Sequence, residues 1–288
     1  MIEVIEYTPG MEIKPPCFVA NMPNEVYHSL PGMISNSGLK LLLRSPAHYK
    51  FQAARAPSRA MEIGTAIHTA LLEPQRFADE YVLLREVKDR RASEYKAATK
   101  VHGTEVVLTA SEAANVEGMQ EAVLSNPAMS ERLNAEGWRE LSLFVADPET
   151  GVIVRVRYDL LSTSGIAVDV KKTQDARPDA FSKAIDNYDY DMQAALYSDA
   201  FEWATGKPLG AFEFAAIEEQ MPHGHKLYML DETALQEGSR KYRAALNLYA
   251  QCEQSGEWPG LPCDGPEVIG LPAWRMAQIE NDLDEEFI

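Results

Sequence analysis

Cysteine is scarce: the chain holds three, Cys17, Cys252 and Cys263, with no Cys-x-x-Cys spacing. An odd count in this pattern excludes a closed disulfide framework, and it is too few for a four-thiolate metal centre or an iron–sulfur cluster. Long apolar runs are also missing, since none approaches the ~18 to 20 residues that span a bilayer. The first residues carry Glu3 and Glu6 where a secretory signal would place a basic region followed by an apolar one. A soluble, cytoplasmic protein with no membrane partner is expected. Positive charge is in short supply as well: 27 Lys and Arg face 44 Asp and Glu over 288 residues, a net charge of -17. Spread evenly, that balance would exclude a nucleic-acid partner, because phosphate neutralisation needs cations.

The charge is not spread evenly. Residues 26–61 contain no acid, yet they hold Lys40, Arg44, Lys50, Arg55 and Arg59, with His48 and Tyr49 among them. At the opposite extreme, Glu280, Asp282, Asp284, Glu285 and Glu286 crowd the C-terminus. Such partitioning suits a protein that grips a polyanion on one surface and repels it on the others. Hydrophobic residues make up 45% of the chain, enough to bury a substantial core and to exclude disorder of the whole.

No internal repeat, low-complexity segment or mid-chain linker is visible. The simplest organisation is an irregular, proline-rich arm (1–33), one domain (34–275) and an acidic tail (276–288). Ser35-Asn-Ser-Gly38 offers N-cap residues for a helix interrupted near Ser45-Pro46, and a second helix is predicted over 62–72, stopped by Pro74. Residues 80–85 and 105–108 read as short strands, and 111–124 as a helix without a capping box. Strict alternation over 152–161 predicts a strand with Val152, Val154, Val156, Tyr158 and Leu160 on one face and Arg155, Arg157 and Asp159 on the other. With 140–145 before it and 166–171 after it, this strand forms a three-stranded meander. Helices over 178–185 and 190–203, strands over 211–217 and 226–230, and a helix over 232–249 follow.

The chemistry concentrates in that meander. Asp159 and Asp169 fall on neighbouring strands, with Lys171 two positions beyond the second acid on the same face. Two converging carboxylates are hard-oxygen ligands for Mg2+, with Mn2+ as a substitute, and a nearby lysine can orient water or stabilise charge on phosphorus. A solvated strand face is the competing reading of an isolated Asp-x-Lys. Gly64-Thr-Ala-Ile-His68 puts a histidine on a helix beside small residues, Gln193 and Tyr197 share a helix face at i, i+4, and Glu140 opens the strand before Asp159.

In this order, these segments resemble the PDDEXK, or restriction-endonuclease-like, superfamily, and within it the phage and prophage recombination exonucleases of the exonuclease VIII and lambda types. The resemblance rests on Ile34-Ser-Asn-Ser-Gly-Leu-Lys40, Arg44-Ser-Pro-Ala-His-Tyr49, Gly64 to Pro74, Arg155-Val-Arg-Tyr-Asp159, Asp169-Val-Lys-Lys-Thr173 and Tyr188 to Asp199, with Glu257-Trp-Pro259 and Leu271-Pro-Ala-Trp274 at the end. It implies an α/β fold whose central mixed sheet is flanked by helices. It also implies a metal site of His68, Asp159, Asp169 and the Val170 carbonyl, a catalytic Lys171, and Gln193 with Tyr197 as supports. Ser37 and Arg177 would bind a 5′ phosphate, and Lys40 and Arg44 the DNA backbone. Arg157 stands where the lambda-type enzymes carry a small hydroxyl, and could join Arg177 in a forked phosphate pocket. Asp169 stands where others have Glu. Family members digest the 5′-ended strand of linear duplex DNA, assemble as rings of three or four subunits, and supply a single-strand annealing or single-strand-binding protein. The setting so implied is a bacterial or phage-infected cell. A catalytically inert DNA mimic, an interaction protein and a PDDEXK endonuclease remain the alternatives.

Overall fold

In the computed structural model, residues 2–53, 57–272, 274–276 and 278–279 are described. The elements run β1 (Val4–Glu6), β2 (Cys17–Ala20), α1 (Asn24–Ser29), β3 (Ile34–Ser35), α2 (Asn36–Arg44), α3 (Pro46–Lys50), α4 (Arg59–Leu72), α5 (Pro74–Glu80) and β4 (Val82–Leu84). They continue with α6 (Ser93–His102), β5 (Val107–Thr109), α7 (Ala110–Ser125), α8 (Pro127–Leu133), β6 (Gly137–Ala146), β7 (Ile153–Ser162) and β8 (Ile166–Thr173). The last are α9 (Pro178–Asn187), α10 (Tyr190–Thr205), β9 (Ala211–Glu218), β10 (His225–Tyr228) and α11 (Glu232–Ser255).

One mixed sheet organises the chain, in the order β1-β2-β6-β7-β8-β9-β10 with β3 beside β7. The meander β6-β7-β8 is antiparallel, whereas β8 and β9 are parallel and joined through α9 and α10. One face buries Leu141, Val156, Tyr158 and Phe214 under α2, α10 and α11. The other buries Leu160, Val168, Val170 and Ile217 under α4, α7 and α8. An α/β fold with a mixed central sheet flanked by helices is therefore present, as the sequence led us to expect.

Four expectations are corrected. Residues 1–33 are not an irregular arm: β2 lies in the central sheet, antiparallel to β6, and brings β1 and α1 with it. The apolar Phe18 and Val19 suit this interior position between β1 and β6, burying on both faces. Helix α4 starts at Arg59, three residues early, because Ser58 Oγ accepts the Met61 N–H. Helix α7 does have a capping box, built by Thr109 and Glu112, its cap two residues ahead of the start expected at Ser111. Finally, the alternation of β7 slips at Asp159: Tyr158 packs with the first core and Leu160 with the second.

Candidate active site

The slip in β7 has a partner in β6. The β6–β7 ladder pairs Arg139 with Leu160 and Leu141 with Tyr158, skipping Glu140 opposite Asp159. Glu140 there has φ 48°, a left-handed backbone in the middle of a strand, where a non-glycine residue carries a strain of about 1–3 kcal/mol. Strands β7 and β8 pair only at Leu160–Val168 and Leu161–Ala167, then separate at the two aspartates. Across that opening Asp159 Oδ2 accepts the Val170 N–H at 2.8 Å.

Two groups of side chains gather around the opening. Asp159 reaches toward α4, where His68 Nδ1 is 3.4 Å from its Oδ2. Glu140 joins them, so that one ligand atom from each of His68, Glu140 and Asp159 lies within 4.8 Å of the others. Burial pushes the Asp159 carboxyl up to about 7; Asp169 and Glu140 push the same way, and His68 and Lys171 oppose. Burial also raises Glu140, again against the pull of His68. Crowded, partly desolvated carboxylates with an imidazole among them are a donor set able to hold a divalent cation. Glu140 was noticed in the sequence only as the opening of a strand; its strained backbone, invisible in a pattern, is what turns it inward.

Asp169 reaches the other way, toward α10. Gln193 Nε2 donates to its Oδ1 at 2.6 Å, and Lys171 Nζ forms an ion pair with its Oδ2 at 2.6 Å. Lys171 Nζ also donates to Gln193 Oε1 at 3.0 Å, which closes a three-membered clasp. Although burial opposes its charge, Asp169 and Asp159 raise the Lys171 ammonium above the ordinary lysine value. Tyr190 lies under it, with Nζ 4.6 Å from the ring centroid. Tyr197 contributes by packing: its carbonyl accepts the Tyr158 hydroxyl at 2.7 Å, and the two rings meet edge-on at 5.4 Å. That braces the β7 residue just before Asp159.

The remaining residues singled out from the sequence fall around this centre unevenly. Lys40 donates to the Tyr188 carbonyl, and burial together with Lys171 lowers its ammonium to about 8 against the pull of Asp189. Ser37 is exposed at the start of α2, its hydroxyl 2.9 Å from the capping Ser35. Arg44 is exposed at the end of α2. Arg157 donates to Ser142 Oγ at 3.0 Å and to the Met22 carbonyl at 3.0 Å, and lies 4.2 Å over the Tyr27 ring. Arg177, with an 82% exposed side chain, pairs with Asp175 at 2.6 Å. The two guanidiniums thus take separate partners on separate elements, and the forked pocket expected of them is not assembled. Arg59, counted with the cations of the acid-free stretch, is bound instead by Glu62 and Glu112. Arg55 and the acidic residues from Glu280 onward lie outside the described residues.

Comparison with known proteins identifies the family and the fold. The sequence matches a family described as a PDDEXK-like domain of unknown function (DUF3799) over residues 35–271. A search of curated proteins finds no match. Among solved structures, a candidate exonuclease from Eubacterium rectale aligns with a TM-score of 0.59 at 15% identity, covering 90% of this chain and 98% of its own. An alkaline exonuclease from Laribacter hongkongensis aligns with a TM-score of 0.30 at 12% identity, covering 81% of this chain and 96% of its own. The first of these likenesses bears on the fold.

Proposed function

Because this chain belongs to the PDDEXK-like family matched over residues 35–271, we propose that it is a divalent-metal-dependent exodeoxyribonuclease. In this reading it digests the 5′-ended strand of linear duplex DNA and leaves a 3′ single strand for an annealing protein. The observation that carries it is the juxtaposition of an acid–imidazole cluster, His68, Glu140 and Asp159, with the Asp169–Lys171–Gln193 clasp across one gap in the sheet. Asp159, Glu140 and His68 would hold the cation, with Asp169 beside them. A bound Mg2+ or Mn2+ supplies Lewis acidity toward a phosphodiester and lowers the pKa of water.

The chain's own residues do the rest. Lys171, held charged by two aspartates, offers its ammonium to the negative charge that develops on the phosphate. Gln193 fixes the angle of that ammonium and keeps an Asp169 oxygen from turning away. Val170 N–H orients Asp159. Ser37 and Arg44 on α2 and Arg177 ahead of α9 are the proposed contacts to the DNA backbone and a terminal phosphate, each made separately and not through one forked pocket. The acid-free stretch 26–61 is the proposed lining of a closed homo-oligomer of three or four subunits, which would keep an acidic protein on its substrate. Among the described residues, no helix is long and apolar enough to cross a membrane.

Linear duplex labelled at the 5′ or the 3′ end, with a closed circular duplex as control, tests the reading with and without Mg2+. Release of mononucleotides from the 5′-ended strand of the linear DNA, in Mg2+ alone, is the expected result. Nicking of the circle would replace it with an endonuclease, and the absence of both cleavage and DNA binding would replace it with an inert mimic.

A further inference from the structure

Tyr188 closes α9 with 60% of its surface exposed, an unusual place for a large aromatic ring on a charged molecule. Its seat is rigid. The Tyr188 N–H donates to the Ala184 carbonyl at 3.0 Å, and its own carbonyl accepts from Lys40. The following residue, Asp189, has a left-handed backbone at φ 48°, held by Lys241 from α11 at 3.1 Å. Lys241 also grips the buried Asp191 at 2.9 Å, so the whole turn between α9 and α10 is pinned from outside.

One face of the ring is covered by a neighbour. Tyr188 stacks on Tyr190 with centroids 5.6 Å apart and planes 29° from parallel. Tyr190 in turn lies 4.6 Å below Lys171 Nζ and packs inward on Phe181 and Phe214. A column of rings therefore leads from the core, past the lysine of the clasp, to one face open to solvent. An apolar face exposed by accident would be a mobile side chain. This one is anchored and adjoins the cationic group proposed to meet the scissile phosphate. Every nucleobase has a π-face, and an aromatic platform takes any of them without reading sequence.

We propose that Tyr188 is a stacking platform for a nucleobase within about one or two nucleotides of the phosphate at Lys171, taking a base released from the duplex end. This rests on the nuclease reading above and adds to it a binding residue for the base. Stacking there orients the strand so that its phosphate meets Lys171, and it imposes no sequence preference. Lys40 serves as a positioning residue by fixing the carbonyl of the platform.

The test uses full-length protein, Mg2+ and linear duplexes in which a tetrahydrofuran abasic residue replaces one nucleotide at a time near the ends. For wild type, one abasic position should lower kcat/KM roughly ten-fold. Tyr188→Ala should lose about the same factor on intact duplex, mostly in KM, and become insensitive at that position. Tyr188→Phe should restore both the rate and the abasic sensitivity. With Ca2+ in place of Mg2+, 2-aminopurine at the same position should be quenched by wild type and not by Tyr188→Ala. Equal abasic sensitivity in wild type and Tyr188→Ala would overturn the platform while leaving the nuclease standing. A wild-type protein that cuts no duplex would overturn the nuclease and the platform together.

Discussion

The acid cluster of the site and the Arg59 node are built from similar ingredients and come out opposite. Arg59 Nε donates to Glu112 at 2.8 Å, and its two terminal nitrogens reach Glu62, Glu112 and the carbonyls of Thr104 and Val107 at 2.6–2.9 Å. All five donors are used. Although burial opposes it, Arg59 and the Thr109 N–H hold the Glu112 carboxyl down at about 2. Around Asp159 the balance is reversed: negative groups outnumber what is near to neutralise them, and the carboxyls are pushed up. A completed charge set ties α4 to α7 and β5. An uncompleted one leaves room for something the chain does not itself supply.

The largest expected effect lies on the site side. Lys171→Met keeps the buried stem and removes the charge; digestion by the folded fraction should fall by about 10^2 to 10^3-fold, and the melting temperature should drop as well, because the buried Asp169 carboxylate loses its ion-pair partner. Undiminished rates would sink the role given to the clasp. Arg59→Ala is the mirror experiment. It leaves two half-buried glutamates facing each other and should cost about 2 kcal/mol of stability in urea unfolding, with digestion by the folded fraction little changed. A variant as stable as wild type would show the node to be ornamental.

Substitution at the cluster should have the other sign. At pH 8, above the value of about 7, Asp159 is ionised at a cost, so Asp159→Asn should stabilise the metal-free protein by about 1 kcal/mol, or roughly 2–4 °C. Mn2+ should then raise the melting temperature of wild type and leave the variant unmoved. A destabilised Asp159→Asn that still responds to Mn2+ would erase the contrast. The smallest effect is in acid. Because the folded Glu112 carboxyl is depressed, its stabilisation is complete above the unfolded value of about 4.3 and is lost as pH falls toward about 2. The stability gap between wild type and Glu112→Gln should therefore narrow between pH 6 and pH 3; a constant gap would contradict the ion pair.

The two regions also differ in how far the sequence exposes them. Asp169, Lys171 and Gln193 sit on regular elements whose periods of 2 and 3.6 hold throughout, so side-chain direction follows from position alone. Asp159 and Glu140 sit where the period breaks, and pattern reasoning assigned Leu160 to the wrong core and passed over Glu140 for the same reason. Arg59 was misread differently. The acid-free stretch ends just short of Glu62, three residues on and one turn along the same helix, and Glu112 arrives from another helix, so the composition of a stretch says nothing about partners at its border or brought by the fold. Strands β1 and β2 were hidden by prolines that punctuate the loop around them, including Pro15, Pro16 and Pro23.

The gap between β7 and β8 also separates two kinds of assembly. The clasp closes between residues 22 and 24 positions apart, inside one strand–helix–helix unit. The acid cluster instead draws on α4, β6 and β7, whose contacts span much of the chain, and long loops close later and more slowly than short ones. A chain caught part-way through folding can thus own its lysine clasp before it owns any place for a cation. Under the proposed metal role, competence to bind a cation would report that α4 has docked against β6 and β7.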